Sequence, residues 1–238
     1  MHVVLIPGYL LDQRLWTSVM HRIEPRATLS VPDLTGFDCV DAMAEHVLQQ
    51  APPRFVLIGL SMGGYVSLSM MRKAPQRIQA LALLNTQAGV DQPATLARRE
   101  KLRDLVAGGG LAQAKESLKP LMLHPDRLAP GQAARTLLDA MHAGCDEGVF
   151  LRQQKALNRR RDNHDLLRTI QCPTLVLGAR QDVLTPPAIQ QAMAEAIPNA
   201  RLVILENAGH LSPIEKPEAV AATLEAWLSE YEGSAAWH

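Results

Sequence analysis

One serine in this chain stands where a serine can act as a nucleophile. Gly59-Leu60-Ser61-Met62-Gly63 fits the pattern G-x-S-x-G. The apolar run 55–58 precedes it, and the helix-like segment Gly64-Tyr65-Val66-Ser67-Leu68-Ser69-Met70 follows. Strand, sharp turn and helix is the setting in which that motif exposes a hydroxyl. Glycines belong on either side, because the strand and helix backbones collide around a Cβ in so tight a turn. A serine at a helix N-terminus also meets free N–H groups and a dipole that favours developing negative charge. The chemistry to expect is attack on a carbonyl carbon.

A hydroxyl attacks only when a base removes its proton. Eight histidines are available. His2 and His238 lie at the chain ends, His21 and His46 fall in expected helices, and His124, His142 and His164 lie in a long interior stretch without strands. His210 follows the last apolar run, 202–205, in the loop Glu206-Asn207-Ala208-Gly209. Loops after the C-terminal ends of parallel strands converge above the sheet, where the serine turn also lies. His210 is therefore the expected base. The preceding run, 174–177, leads into Gly178-Ala179-Arg180-Gln181-Asp182, which places Asp182 at the next strand end as the acid that orients His210. Asp33 competes for that role, but Pro32-Asp33-Leu34-Thr35-Gly36 reads more like a turn at the rim.

Acyl transfer also needs donors for the oxygen that becomes an anion. The N–H of Met62, next after the serine, is one candidate. The other should come from the turn after the first strand, Ile6-Pro7-Gly8-Tyr9-Leu10. Gly8 lets the backbone swing the following N–H inward, so Tyr9 is the expected donor and Leu10 the fallback.

Six short aliphatic runs, at 3–6, 27–31, 55–58, 80–84, 174–177 and 202–205, must position these groups. Helical spacing over 12–23, 41–50, 65–73, 187–196 and 217–230 separates them. Several runs are apolar at every residue, as in a parallel sheet covered on both faces. The alternation predicts an α/β fold with a mostly parallel sheet of about six strands and helices on both faces. Between 86 and 169 the alternation stops, and that stretch is expected to be a helical cap inserted into a core made of 1–85 and 170–238. The cap holds 14 of the 24 Lys/Arg and 10 of the 24 Asp/Glu, a surplus of four positive charges. The tail from Gly233 to His238 is expected to fray.

The chain of 238 residues has 47% hydrophobic and 20% charged residues and no net charge. That balance fits one globular domain and gives no reason to expect nucleic acid or an anionic membrane as partner. No run reaches the ~20 apolar residues of a membrane span, and the N-terminus lacks the basic start and long apolar run of a signal peptide, so a cytoplasmic protein is expected. Cys39, Cys145 and Cys172 are too scattered for a disulfide framework or a metal site, and neither a metal nor another cofactor is expected.

Taken in order, these motifs closely resemble the α/β-hydrolase superfamily, over nearly the whole chain outside the cap. Ile6-Pro7-Gly8-Tyr9 looks like that family's His-Gly-x oxyanion turn, with Pro7 in place of histidine, and Asp33-Leu34-Thr35-Gly36 looks like its Asp-x-x-Gly loop. Gly59–Gly64 matches the nucleophile elbow, Gly178–Asp182 the G-x-x-D turn, and Ala208-Gly209-His210 the histidine loop. The family's usual leading hairpin is expected to be missing. Within the superfamily the chain looks most like small bacterial esterases of the pimeloyl-carrier-protein methyl ester esterase and 3-oxoadipate enol-lactonase kind. Relatives that dehalogenate or open epoxides carry an aspartate where Ser61 stands, so the resemblance implies an ester hydrolase acting on small acyl substrates. A lactonase, a carbon–carbon bond hydrolase and a perhydrolase share the triad and stay open, as does a non-catalytic binding protein.

Cap residues carry no transferable motif. Met122, Leu123, Met141, Phe150 and Leu151 are candidates for an acyl pocket, though helix-spaced apolar residues more often pack than bind. The cap's positive surplus is compatible with a carboxylate-bearing or carrier-protein-bound acyl group. Arg159-Arg160-Arg161 is its densest run, and such a run usually forms a solvated face.

Overall fold

The structure is a computed structural model that describes residues 1–230, so the tail 233–238, expected to fray, lies outside the described residues. Six strands form one sheet: β1 (His2–Ile6), β2 (Thr28–Ser30), β3 (Phe55–Leu60), β4 (Ile78–Leu84), β5 (Thr174–Ala179) and β6 (Arg201–Leu205). Their order is β2-β1-β3-β4-β5-β6 and every pairing is parallel. All six lie where the aliphatic runs place them, and the sheet is wholly rather than mostly parallel. The inner strands β3 and β5 are buried at every residue, while the edge strands β2 and β6 are partly exposed.

Helices α1 (Thr17–Ile23), α2 (Val40–Gln50) and α3 (Met62–Lys73) connect the first four strands. Between β4 and β5 come α4 (Pro93–Ala107), α5 (Leu111–Met122), α6 (Ala133–Ala143), α7 (Glu147–Asn158) and the short α8 (His164–Leu167). The chain ends with α9 (Pro187–Ala196), α10 (Ser212–Glu215) and α11 (Pro217–Ser229). Chain direction reverses across the sheet after β2. Right-handed crossovers therefore put α1 on one face, where it packs on α11, and α2 and α3 on the other, where they pack together.

Two helix starts differ from the sequence reading. The segment expected as one helix from residue 12 begins as a 3-10 turn, Gln13–Trp16, whose first turn is tied by the Asp12 carboxylate accepting from Arg14 N–H at 2.9 Å. Helix α3 begins at Met62, three residues before the expected start, because Gly63 and Gly64 are helical here.

The segment between β4 and β5 touches the loops that follow other strands. The Gln153 side chain in α7 accepts from Leu10 N–H at 2.9 Å, and Arg152 Nε donates to Thr35 C=O at 2.9 Å. The N–H of Leu211 donates to Met122 C=O at 3.1 Å, at the end of α5. These helices thus meet the loops after β1, β2 and β6, on the side where the strand C-termini open. The three cysteines are separate free thiols, and among the described residues no helix is long and apolar enough to cross a membrane.

One buried group in α6 has a pH consequence. His142 is fully buried and neither ring nitrogen has a hydrogen-bond partner. Burial first, then the Lys119 and Lys115 ammonium groups, push it down to about 4, against a weaker opposing pull from Asp139 and Glu116. Its folded value lies below its unfolded value, so its contribution is intact above about pH 6.5 and is lost as pH falls toward 4. Between pH 7 and pH 5 the loss should be roughly 2 kcal/mol. Urea unfolding of the wild type and His142→Leu at both pH values checks this: the variant should show the shallower pH dependence, and equal slopes would refute it.

Candidate active site

The serine turn is built by close approach. Ser61 stands between β3 and α3 at φ 53°, ψ −113°, with its N–H donating to Leu84 C=O at 3.0 Å. Its carbonyl accepts from Gly64 N–H at 2.9 Å and from Thr86 Oγ1 at 2.8 Å. A Cβ on Gly59 would lie 2.4 Å from Gly63 O, and one on Gly63 would lie 2.2 Å from Ile6 O and 2.9 Å from Pro7 O. Only glycine at these positions lets the helix start fold back on its own strand and press against the loop after β1.

The three distant side chains meet. His210 Nε2 lies 2.8 Å from Ser61 Oγ, and His210 Nδ1 lies 2.9 Å from Asp182 Oδ2. Asp182 and His210 are each 3% exposed, so both partners are screened from water and the contact is strong for its length. The Asp182 carboxylate is held by five donors. Oδ1 accepts the N–H groups of Leu184 and Thr185, each at 2.9 Å. Oδ2 accepts Thr185 Oγ1 at 2.6 Å and Asn85 Nδ2 at 2.9 Å, besides His210. Burial alone would raise its pKa, but His210 beside it, with the Thr185 hydroxyl and N–H, holds it below the usual carboxylate range. It stays ionised and acceptor-only, which makes His210 Nδ1 the donor and leaves Nε2 facing the serine.

Asp33 is elsewhere. It is exposed, and its carboxylate closes a local turn by accepting Thr35 N–H at 2.9 Å. Other histidines are engaged elsewhere: His2 bonds Ser30, His46 bonds Gln50, His124 caps a turn, and His164 pairs with Asp162.

In the loop after β1, the left-handed residue is Leu10, at φ 59°, and not Gly8. Gly8 is therefore not needed for a backbone swing; its lack of a side chain leaves room for Leu11 and Leu60, which a Cβ would meet at 3.1 Å. The Leu10 N–H is already taken by Gln153, which removes the fallback donor. The N–H groups of Tyr9 and Met62 have no acceptor among the described residues.

A small, enclosed cavity joins Ser61 and His210 to helices α4 and α5. Its walls include Tyr9 and Tyr65, the apolar Leu102, Leu118, Met122 and Leu184, and the arginines Arg98 and Arg99. Of the apolar cap residues expected at a pocket, Met122 is in this wall. Leu123, Met141 and Phe150 belong to the core, where Phe150 packs edge-on to the Tyr9 ring at 5.7 Å. A larger cleft of about 450 Å³ opens beside it between the loops after β1 and β2, touching Met62 but neither Ser61 nor His210. The arginine run is not uniformly solvated as expected: Arg160 is buried, pairs with Asp91 at 2.8 Å and stacks 4.4 Å from the Tyr65 ring, while Arg161 is exposed.

This sheet order, with a serine elbow after β3 and loops after β5 and β6 closing on it, defines an α/β hydrolase. The Alpha/beta hydrolase family model matches residues 3–223, and the chain belongs to that family. Its sequence is 28% identical over 238 aligned residues to a pimeloyl-[acyl-carrier protein] methyl ester esterase of Neisseria meningitidis, covering 92% of this chain and 90% of that one. Among solved structures it is similar to a thermophilic esterase from Thermogutta terrifontis, with TM-score 0.88, 29% identity and coverage of 97% and 90% of the two chains. It also shares its fold with the enol-lactonase from Burkholderia xenovorans LB400, at TM-score 0.87, 22% identity and coverage of 96% and 91%.

Two residues that brace this site carry no motif. Asn85, at the end of β4, donates to Asp182 and accepts from Ser212 Oγ at 2.6 Å. Glu215 is buried and takes the N–H groups of Gly209 and Leu211 at 3.1 Å and of His124 at 2.8 Å. It thereby clamps the residues on both sides of His210 and ties them to the end of α5. Burial raises its pKa despite those three N–H groups. Glu215→Ala should strand three buried donors and cost at least about 3 kcal/mol in urea unfolding, with Glu215→Gln losing less because one carbonyl oxygen remains. Equal stability of all three proteins would show that the clamp carries no load.

Proposed function

We propose that the chain hydrolyses carboxylic esters of small acyl groups through a covalent acyl-serine. The observation that carries this reading is the 2.8 Å approach of His210 Nε2 to Ser61 Oγ, on an imidazole whose other nitrogen is fixed by Asp182. In the proposed reaction Ser61 Oγ attacks the ester carbonyl carbon as His210 takes its proton. The carbonyl oxygen becomes an anion and rests on the N–H groups of Met62 and Tyr9. The intermediate then collapses, the C–O bond to the alcohol breaks, and His210 returns the proton to the leaving oxygen. Water, activated by the same imidazole, frees the acid and the serine. Residues 86–169 act as the cap that closes over the acyl group.

The Neisseria relative's name favours a second, narrower reading, in which the ester is a methyl ester on a carrier-protein-linked acyl chain. The two readings share every catalytic role and differ in what must fit outside the cavity.

Ser61→Ala should lower turnover of short p-nitrophenyl esters by at least about 10³-fold and abolish labelling by a fluorophosphonate probe. Its far-UV circular dichroism should match that of the wild type. Full activity or continued labelling in that variant would remove Ser61 from the mechanism. Methyl esters of diacids, free and carrier-linked, then separate the two substrate readings.

A further inference from the structure

The cavity beside Ser61 is not electrically neutral. Arg98 and Arg99 stand side by side in α4 and both line it. Arg99 has a partner: its Nε donates to Asp91 Oδ2 at 2.7 Å. The other oxygen, Asp91 Oδ1, is taken by Arg160 at 2.8 Å. Both oxygens of the nearest carboxylate are therefore committed to other arginines. Arg98 is half-buried and has no hydrogen-bond or ion-pair partner among the described residues. Arg160 lies outside the cavity wall and also faces Asp162, whereas Arg98 and Arg99 at the wall have only the already committed Asp91, which leaves an excess of positive charge at a small apolar-walled space. Burial and the neighbouring Arg99 charge weaken the hold of Arg98 on its proton, only partly opposed by the shared Asp91.

A second observation points to the same place. Tyr9, whose ring also lines the cavity, is 6% exposed; its hydroxyl is buried, makes no hydrogen bond of normal length, and has the likewise unsatisfied Gln154 amide beside it. A buried hydroxyl without a well-made hydrogen bond is destabilising unless something in the cavity completes it. Burial raises the pKa of this phenol, so it remains a neutral donor. The guanidinium fork is donor-only and the phenol O–H can donate beside it, a pairing that suits an acceptor-rich anion better than a cation.

We propose that Arg98, assisted by the Tyr9 hydroxyl, binds a carboxylate at the far end of the acyl group, so that the preferred substrates are monoesters of short dicarboxylic acids. This rests on the reading of Ser61 as the nucleophile. Bound this way, the acyl chain spans from the ester carbon at Ser61 to the fork in α4, with its methylenes against Leu102, Leu118 and Met122. An uncharged acyl group of equal length would leave both donors unanswered.

The test compares mono-p-nitrophenyl esters of succinate, glutarate and adipate with neutral p-nitrophenyl esters of matching chain length. Wild-type protein should favour one diacid ester by kcat/KM, and added salt should erode that preference. In Arg98→Gln the ratio of acidic to neutral kcat/KM should fall about 10–100-fold, with Arg98→Lys in between because it keeps the charge and loses the fork. A wild type that favours neutral esters, or a ratio unmoved by Arg98→Gln, would overturn the proposal. Isothermal titration of free glutarate into Ser61→Ala protein separates this from the catalytic reading. Saturable binding that disappears in the Ser61→Ala/Arg98→Gln double variant supports the anion site even if no ester is turned over. Absence of binding in Ser61→Ala refutes it even if neutral esters are hydrolysed through Ser61.

Discussion

The turn between β3 and α3 leaves less room than any other part of the site, and the site is assembled around it. A non-glycine residue held at φ 53°, ψ −113° pays ~1–3 kcal/mol, and keeps that shape only where the surroundings over-determine it. Ser61 is pinned through its N–H to the end of β4 and through its carbonyl to Thr86 and the start of α3. Gly63 lets the carbonyls of Ile6 and Pro7 lie against the first turn of α3. That contact brings the loop carrying Tyr9 beside the serine. It falls between β1 and β3, where the strand order reverses and neighbouring loops part to leave a crevice.

From that point the sheet order does the positioning. Strands β3, β4, β5 and β6 are consecutive neighbours, and each delivers one group at its C-terminal end: Ser61, Asn85, Asp182 and His210. Parallel pairing keeps those ends level, so residues 149 positions apart in sequence come within 2.8 Å. A carboxylate as buried as Asp182 is tolerable only when its lone pairs are met. Two N–H groups, two neutral side-chain donors and one imidazole meet them here, and Asn85 passes the constraint on to Ser212 beyond the histidine loop. The acid is therefore fixed from three strand ends at once.

Groups that stand at strand ends inside local motifs were readable from the chain, which is why Ser61, Asp182 and His210 could be named and then found together. The six strands were readable for a related reason: a parallel sheet covered on both faces asks for apolar residues at every position. What stayed hidden depends on contacts between distant segments. Gln153 reaches Leu10 across 143 positions, and nothing near either residue announces it. Glu215 belongs to no sequence motif, although it takes the N–H groups on both sides of His210. Arg160 looked like the middle of a solvated run, because Tyr65 and Asp91, which bury it, lie in other elements. Gly63 stood outside the segment read as helix, as glycine propensity suggests, yet its close packing on Ile6 overrides that preference and the helix starts earlier.

The same reasoning explains why the join between α3 and the helices preceding β5 is polar. Arg160 and Asp91 are both nearly inaccessible, and a buried ion pair returns little net stability once desolvation is counted. Arg160 nevertheless uses all three guanidinium nitrogens, donating to Gly89 C=O at 3.0 Å, Leu157 C=O at 2.9 Å and Asp91, while its guanidinium lies over the Tyr65 ring. Apolar side chains of equal volume would hold these segments together with less directional preference. The guanidinium fixes the angle between α3, which begins at the serine, and the end of α7. The wall of the cavity is thus set by bonds that tolerate little sliding, and a substrate must match a shape determined by the fold before it arrives.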